Sequence, residues 1–321
     1  MKKRQLGNTD MEFTAIGLGT WAIGGSWSFG WGPQDESDAI RAILEALDQG
    51  VNWIDTAAIY GQGRSEKFVA KAIRQSKHKP FIATKCGLVW DEKNDRIPCM
   101  TPKSIEKECH DSLKRLGVDV IDLYQIHFPN PDESIERAWE MMVKLKERQM
   151  VRHIGVSNFT VEQLEIISRI HPVASLQPPY SMLRRGIEDK ILPYCEENNI
   201  GVISYSPMQK GLLTGKFNND FLKTLAPDDH RHRDPELQEP RFSATLKLVE
   251  ELREIADRNG VTRAQLAIAW VLRRPEVTSA IVGARKPGQI IETAKAADVT
   301  LSDGDINEIE KLLKIREEKI N

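Results

Sequence analysis

The chain has 321 residues, 40% of them hydrophobic and 29% charged, and its 45 lysines and arginines against 47 aspartates and glutamates leave a formal net charge of -2. That composition is one of an ordinary globular protein able to bury a large core, and the near-neutral charge points to no polyanion-binding face, although a net count says nothing of a local patch. The four cysteines, Cys86, Cys99, Cys109 and Cys195, show no CxxC pairing or metal-ligand spacing, which argues against a disulfide framework or a metal site and for a reducing compartment.

The amino terminus, MKKRQLGNTD, starts basic but lacks the apolar core of a signal peptide, and no segment supplies the roughly 20 apolar residues of a membrane span. A cytoplasmic location with no membrane partner is therefore expected. Residues 5–19 read as a hairpin with an Asn8-Thr9-Asp10 turn leading into the apolar run AIGLGT. Gly17, Gly19 and Ala22 match a dinucleotide fingerprint in form, but helical periodicity waits until about Glu36, so a Rossmann reading fails. Trp21, Trp27 and Trp31 in the intervening loop suggest an apolar wall beside a pocket.

From residue 37 the pattern alternates. Helices are expected at 37–49, 65–75, 102–116, 133–148, 161–170 and 187–198. Strands are expected between them at 51–55, 81–85, 120–127, 153–156, 173–177, 201–205 and, later, 278–282. Thr101 and Gly117 read as the cap and stop of the third helix. With AIGLGT these make eight short apolar strands joined through helices, which favours a closed (β/α)8 TIM barrel spanning 1–321 as one domain over a doubly wound open sheet. Between 205 and 278 the repeat is interrupted by GLLTGKF, a polar stretch at 218–240 and helical patterns at 244–258 and 263–273. Such a long loop after strand 7 is either disordered or a lid over a site. GLLTGKF is no phosphate-binding Walker loop, since Lys210 stands where its first glycine belongs. An extra C-terminal helix is expected at 303–316.

Polar residues end three successive strands: Asp55 after VNWI, Lys85 after PFIAT and His127 after IDLYQI. Tyr60 follows Asp55 in a loop made slender by Ala57, Ala58, Gly61 and Gly63. Singly, each has a plain reading as a helix cap, a half-buried ring, a solvated charge or a structural histidine. At equivalent carboxyl ends of barrel strands they converge into a chemical set. A tyrosine has a reference pKa of about 10, and an ammonium about 4 Å away would favour the phenolate by about 4 kcal/mol at an effective dielectric of about 20, or roughly three pKa units. Asp55 would keep Lys85 charged, and His127 would hydrogen-bond a carbonyl oxygen, giving a site for carbonyl reduction with Tyr60 as general acid.

The stretches GLGTWAIGG, NWIDTAAIYG with RSE, IATK, SLKRLGVDVIDLYQIH, IGVSNF, LQPPYS, YSPMQKGLLTGK and VGARKPGQ, in this order, resemble the aldo-keto reductase superfamily, and most closely its prokaryotic branch of general stress and inositol-related reductases. The resemblance implies a (β/α)8 barrel that reduces small aldehydes or ketones, with Asp55, Tyr60, Lys85 and His127 as the catalytic tetrad. It places the nicotinamide carboxamide against Ser157, Asn158 and Gln177, the ring on Tyr205, and Thr20 and Trp21 beside the cofactor. Ser206, Pro207, Met208, Gly211 and Leu213 would follow the pyrophosphate.

At the adenosine end, Gly283 and Ala284 would allow close approach and Arg285 would offer a planar fork to a 2′-phosphate, so NADPH is implied over NADH. Lys286 adds charge there, and Gln289 and Glu292 would border the adenine. Thr293 departs from the asparagine common in relatives. Trp21, Trp27, Trp31, Trp90 and Phe128 are the expected substrate pocket. Two other classes stand beside the enzyme: a nucleotide-sensing binding subunit on the same barrel, and a metal-dependent barrel hydrolase or isomerase, which the lack of a His and carboxylate ligand cluster disfavours.

Overall fold

The computed structural model describes residues 1–93 and 95–320. Strands β1 (Lys3–Gln5) and β2 (Glu12–Thr14) form the expected hairpin, with the Leu6 N–H donating to the Met11 carbonyl at 2.8 Å, and β3 (Ile16–Gly19) follows. Helix α1 (Glu36–Asp48) starts where the Asp35 carboxylate accepts the Asp38 N–H, and it buries Ala39, Ala42, Ile43, Ala46 and Leu47, one face at helical spacing. Strand β4 (Trp53–Asp55), helix α2 (Arg64–Gln75) and strand β5 (Phe81–Cys86) continue the alternation.

A second antiparallel hairpin, β6 (Leu88–Trp90) with β7 (Arg96–Pro98), precedes α3 (Pro102–Leu116), which has the expected Thr101 cap and left-handed Gly117 stop. Then come β8 (Ile121–Ile126), α4 (Ile135–Glu147), β9 (Val151–Ser157), α5 (Val161–Ser168), β10 (Ser175–Gln177), α6 (Ile191–Glu197) and β11 (Gly201–Tyr205). The long connection carries α7 (Asn219–Lys223), 3-10 turns at His230–Arg233 and Pro235–Leu237, α8 (Arg241–Arg258) and α9 (Arg263–Leu272). Strand β12 (Val277–Gly283), α10 (Gln289–Thr293) and α11 (Asp303–Ile320) complete the order.

Strands β3, β4, β5, β8, β9, β10, β11 and β12 each pair in parallel with the next, and β12 returns to β3, so the sheet closes. The fold is a (β/α)8 barrel and not an open doubly wound sheet. Its amino-terminal end is stoppered by the hairpin: Leu6, Met11 and Phe13 pack with Trp53, Ala83, Leu123, Ala174, Ile203 and Ile281, and Phe13 stacks on Trp53 at 4.5 Å. That leaves the carboxyl end open for chemistry.

One expected boundary moves for an identifiable reason. Helix α6 starts at Ile191 rather than 187, because Pro193 lacks an N–H and fits only a helix's first turn. The 218–240 stretch is ordered into short helical turns rather than being loose chain. The β6–β7 hairpin and α10 have runs of five residues or fewer, too short for periodicity to reveal.

One buried carboxylate braces the strand end beneath the site. The Gly87 N–H, in the left-handed turn after β5 at φ +88°, donates to both Glu108 oxygens at 3.2 and 3.1 Å, and Ser104 Oγ donates to the same carboxylate at 3.0 Å. Burial pushes the Glu108 pKa up to about 7.

Two outcomes are expected. A Cβ on Gly17 would fall 2.0 Å from the Trp53 ring, so Gly17→Ala should lower stability by about 1–3 kcal/mol in urea denaturation. For Glu108, the folded pKa lies above the ordinary 4.5, so its contribution to stability is complete below about 4.5 and lost as pH rises through about 7. Glu108→Gln carries no such proton, and its melting temperature should gain on the wild type between pH 5 and pH 8. An equal difference at both pH values would show that Glu108 does not titrate in that range.

Candidate active site

The carboxyl ends of β4 and β5 are neighbours in the barrel, so Asp55 and Lys85 meet. Lys85 Nζ donates to both Asp55 oxygens at 2.7 and 2.8 Å and to the Thr56 carbonyl at 3.0 Å, with the two side chains 0% and 4% exposed. The same ammonium stands 3.3 Å from Tyr60 Oη. Tyr60 is held in its turn by its N–H to the Ala57 carbonyl at 3.1 Å. His127, just beyond β8, is anchored by its N–H to the Cys86 carbonyl at 2.9 Å, and its ring meets Tyr60 edge-on at 5.7 Å. Gln177 Nε2 also donates to Asp55 Oδ1, at 2.8 Å.

The electrostatics depart from expectation in one respect. Burial, and then the Asp55 charge, push the Tyr60 pKa well above its ordinary value. The expected lowering by Lys85 is overturned first by burial and then by Asp55, to which the ammonium is closer than to the phenol. Tyr60 is accordingly a protonated phenol at neutral pH. His127 is held well below the usual imidazole range by burial, Lys85 and Arg96, which makes it a neutral hydrogen-bonding group. Burial lowers the Lys85 pKa, against which Asp55 acts. Behind the pair sits a second buried carboxylate: Thr84 Oγ1 donates to Glu66 at 2.7 Å and Arg115 Nε to Glu66 at 2.5 Å.

A cleft of about 600 Å³ opens over this cluster. Trp21, Trp27, Trp31 and Phe128 border one end, and Phe128 stacks on His127 at 5.3 Å. In the middle, Ser157, Asn158, Gln177 and Tyr205 are tied together: Ser157 Oγ donates to the Gln177 carbonyl at 2.7 Å, Asn158 Nδ2 to Ser157 Oγ at 2.9 Å, and Tyr205 Oη to Asn158 Oδ1 at 2.9 Å. Ser206, Pro207, Met208 and Gly211 continue the wall towards Gly283, Arg285, Gln289 and Glu292. Among the described non-glycine residues, Asn158, Ser206, Gln209 and Lys210 are four of seven with positive φ, so left-handed backbone strain gathers along this wall.

Lys85, Ala284 and Lys286 are not among the residues that line the cleft, and neither are three further expected positions. Thr20 is buried beneath it, where its Oγ1 donates to the Asp55 carbonyl at 2.9 Å and accepts from Ser65 Oγ at 2.7 Å. Leu213 is turned into the main core by the 3-10 turn Gln209–Thr214. Trp90 packs on the outer side of the Ala57, Ile59 and Leu88 cluster, and Leu88 reaches the cleft instead. Gln289 does border the cleft, but its side-chain oxygen accepts the N–H groups of Arg285 and Lys286 at 2.7 and 3.1 Å. The Arg285 fork is turned onto the chain's own carbonyl oxygens.

The 218–240 segment supplies lining groups that were not foreseen. The His230 N–H donates to the Gly30 carbonyl at 3.0 Å and its ring lies 4.9 Å from Trp21, where burial lowers its pKa to about 4. Arg231, held by Asp229 at 3.0 and 2.7 Å, spreads over the Trp31 ring at 4.0 Å. Together with the 21–34 loop these residues roof the cleft. Their only trace in the sequence is the alternation His230-Arg231-His232-Arg233 within a polar run.

Known proteins resemble this chain over nearly its whole length. The Aldo/keto reductase family model matches residues 15–314. The chain is 40% identical to aldo-keto reductase YhdN of Bacillus subtilis, over 98% of this chain and 94% of the relative. It is 34% identical to the NADH-specific methylglyoxal reductase of Escherichia coli, over 95% and 96%. Among solved structures, glycerol dehydrogenase AKR11B4 from Gluconobacter oxydans superimposes with a TM-score of 0.88 at 39% identity, covering 97% of this chain and 94% of that one. A closed barrel, the polar cluster at its carboxyl mouth and the match across nearly the whole length lead to one assignment: the chain belongs to the aldo/keto reductase family.

Proposed function

We propose that this protein reduces small aldehydes or ketones to alcohols with NADPH, and that Tyr60 delivers the proton. The observation that carries the reading is the buried contact of Lys85 with Asp55 and Tyr60 at the floor of the cleft. Reduced nicotinamide, when bound, supplies hydride to the carbonyl carbon. Everything else falls to the chain's own side chains.

His127, neutral and beside Tyr60, donates a hydrogen bond to the carbonyl oxygen and holds it towards the phenol. An oxygen that receives hydride on its carbon becomes an alkoxide, a stronger base than a phenolate. A phenol kept protonated by burial is therefore well matched to reduction, while Lys85 limits the penalty as negative charge develops on Tyr60. The linked Ser157, Asn158 and Gln177 groups offer donors and acceptors to a carboxamide, and Tyr205 offers a ring face beside them. Cations at Lys210, Lys216, Arg231 and Arg285 border the cleft, in keeping with a phosphate-rich cofactor. Arg285 is the group we assign to a 2′-phosphate, hence NADPH. The names of the methylglyoxal and glycerol enzymes among its relatives favour a compact, oxygen-rich substrate.

With a reactive aldehyde, purified protein should consume NADPH, and Tyr60→Phe should lower kcat by about 10²-fold or more while cofactor affinity stays within a few-fold. A phenylalanine variant at full rate would remove Tyr60 as the acid. Arg285→Ala should weaken NADPH by about 1–3 kcal/mol, the value of a charged hydrogen bond, and NADH far less. Equal losses for the two cofactors in a fluorescence titration would remove the 2′-phosphate role.

A further inference from the structure

Arg285 is engaged, and by the chain itself. Its Nε donates to Gln34 Oε1 at 3.0 Å, Nη1 to the Trp31 carbonyl at 2.7 Å, and Nη2 to the Gly32 and Pro33 carbonyls at 3.4 and 2.7 Å. Gln34 Nε2 returns a bond to the Arg285 carbonyl at 3.0 Å, which makes the pair reciprocal. The guanidinium thus grips a strap, residues 31–34, lying 251 positions away in sequence. The other side of the strap is pinned as well: a side chain at Gly32 would fall 2.7 Å from the Ala226 Cβ, and Trp31 carries Arg231 on its ring.

Two features mark this grip as replaceable rather than as a finished structural bond. Every acceptor is neutral, and among the described residues Arg285 has no carboxylate partner, although Arg231 close by is neutralised by Asp229. Charge-assisted bonds to a phosphate are roughly twice as strong as bonds to neutral oxygens. Arg285 also borders the cleft, so an anion bound there meets the same fork. A guanidinium has five N–H donors, and four contacts to the strap leave too few for a bidentate phosphate.

We propose that Gln34 determines cofactor selectivity by holding Arg285 away from the 2′-phosphate. The proposal rests on the nicotinamide-binding reading above and adds a competition within the chain. NADH is accepted with the grip intact, whereas NADPH is accepted only by drawing Arg285 from the strap, so its apparent affinity is reduced by the fraction of molecules in which the fork is occupied. Relative preference for the two cofactors is then set by a residue that touches neither.

The test is a titration of NADPH and NADH into wild type, Gln34→Ala and Gln34→Glu in phosphate-free buffer, followed by protein fluorescence. Gln34→Ala removes the single side-chain acceptor of the grip, with its return bond, and should tighten NADPH by about 3- to 10-fold, the worth of one hydrogen bond, with NADH unchanged. Gln34→Glu puts a carboxylate on the fork and should weaken NADPH by a similar factor, again with NADH unchanged. If both variants weaken NADPH, or if both cofactors move together, Gln34 is merely structural and the proposal fails. Wild type that binds neither cofactor would instead overturn the nicotinamide reading on which the proposal stands.

Discussion

The salt bridge between Lys85 and Asp55 is the constraint on which the rest of the site depends. Two charges almost completely removed from water are tolerable only when each is paired and every remaining lone pair or proton is satisfied. Both conditions hold: Lys85 fills its donors with Asp55, the Thr56 carbonyl and the Tyr60 hydroxyl, and Asp55 accepts from Gln177 as well. Removing one partner from such a pair costs about 3–5 kcal/mol, which leaves little freedom for the groups that touch it. The phenol is thereby positioned by an interaction whose first role is to keep a buried charge satisfied. Glu66 and Arg115 repeat the scheme one layer further out.

That pair exists because the barrel closes. Asp55 and Lys85 stand at the ends of strands adjacent in the sheet, His127 follows the next strand, and Gln177 ends a strand across the barrel. Closure in turn needs the opposite end filled, which the amino-terminal hairpin does with Leu6, Met11 and Phe13 against Trp53. Apolar packing at one end and ionised groups at the other are thus two outcomes of one topology.

Much of this was legible in the sequence for a simple reason. A polar residue that ends an apolar strand stands out, and three such residues in successive repeats specify a shared location without any knowledge of distances. What escaped notice depended on facts that no local pattern carries. The direction of the phenol's shift is set by burial and by a carboxylate nearer to the ammonium than the phenol is, neither of which a sequence displays. Thr20 and Leu213 belong to the right segments, but which side of the backbone faces the cleft is decided by tight turns. Arg285 was read as a free fork because its partners lie on a strap distant in sequence, and the roof residues His230 and Arg231 sit in a run whose composition resembles ordinary solvated loop.

The roof itself is fastened in an unusual manner for a binding surface. Arg233 reaches the Ser28 carbonyl, the His230 N–H reaches that of Gly30, and Arg285 reaches those of Trp31, Gly32 and Pro33. All of these anchors are main-chain oxygens, which any amino acid supplies. The fastening is therefore indifferent to which side chain stands at Ser28, whereas at Phe29 and Trp31 the rings themselves carry Arg233 and Arg231, so a change of side chain there reshapes the roof over an undisturbed catalytic floor.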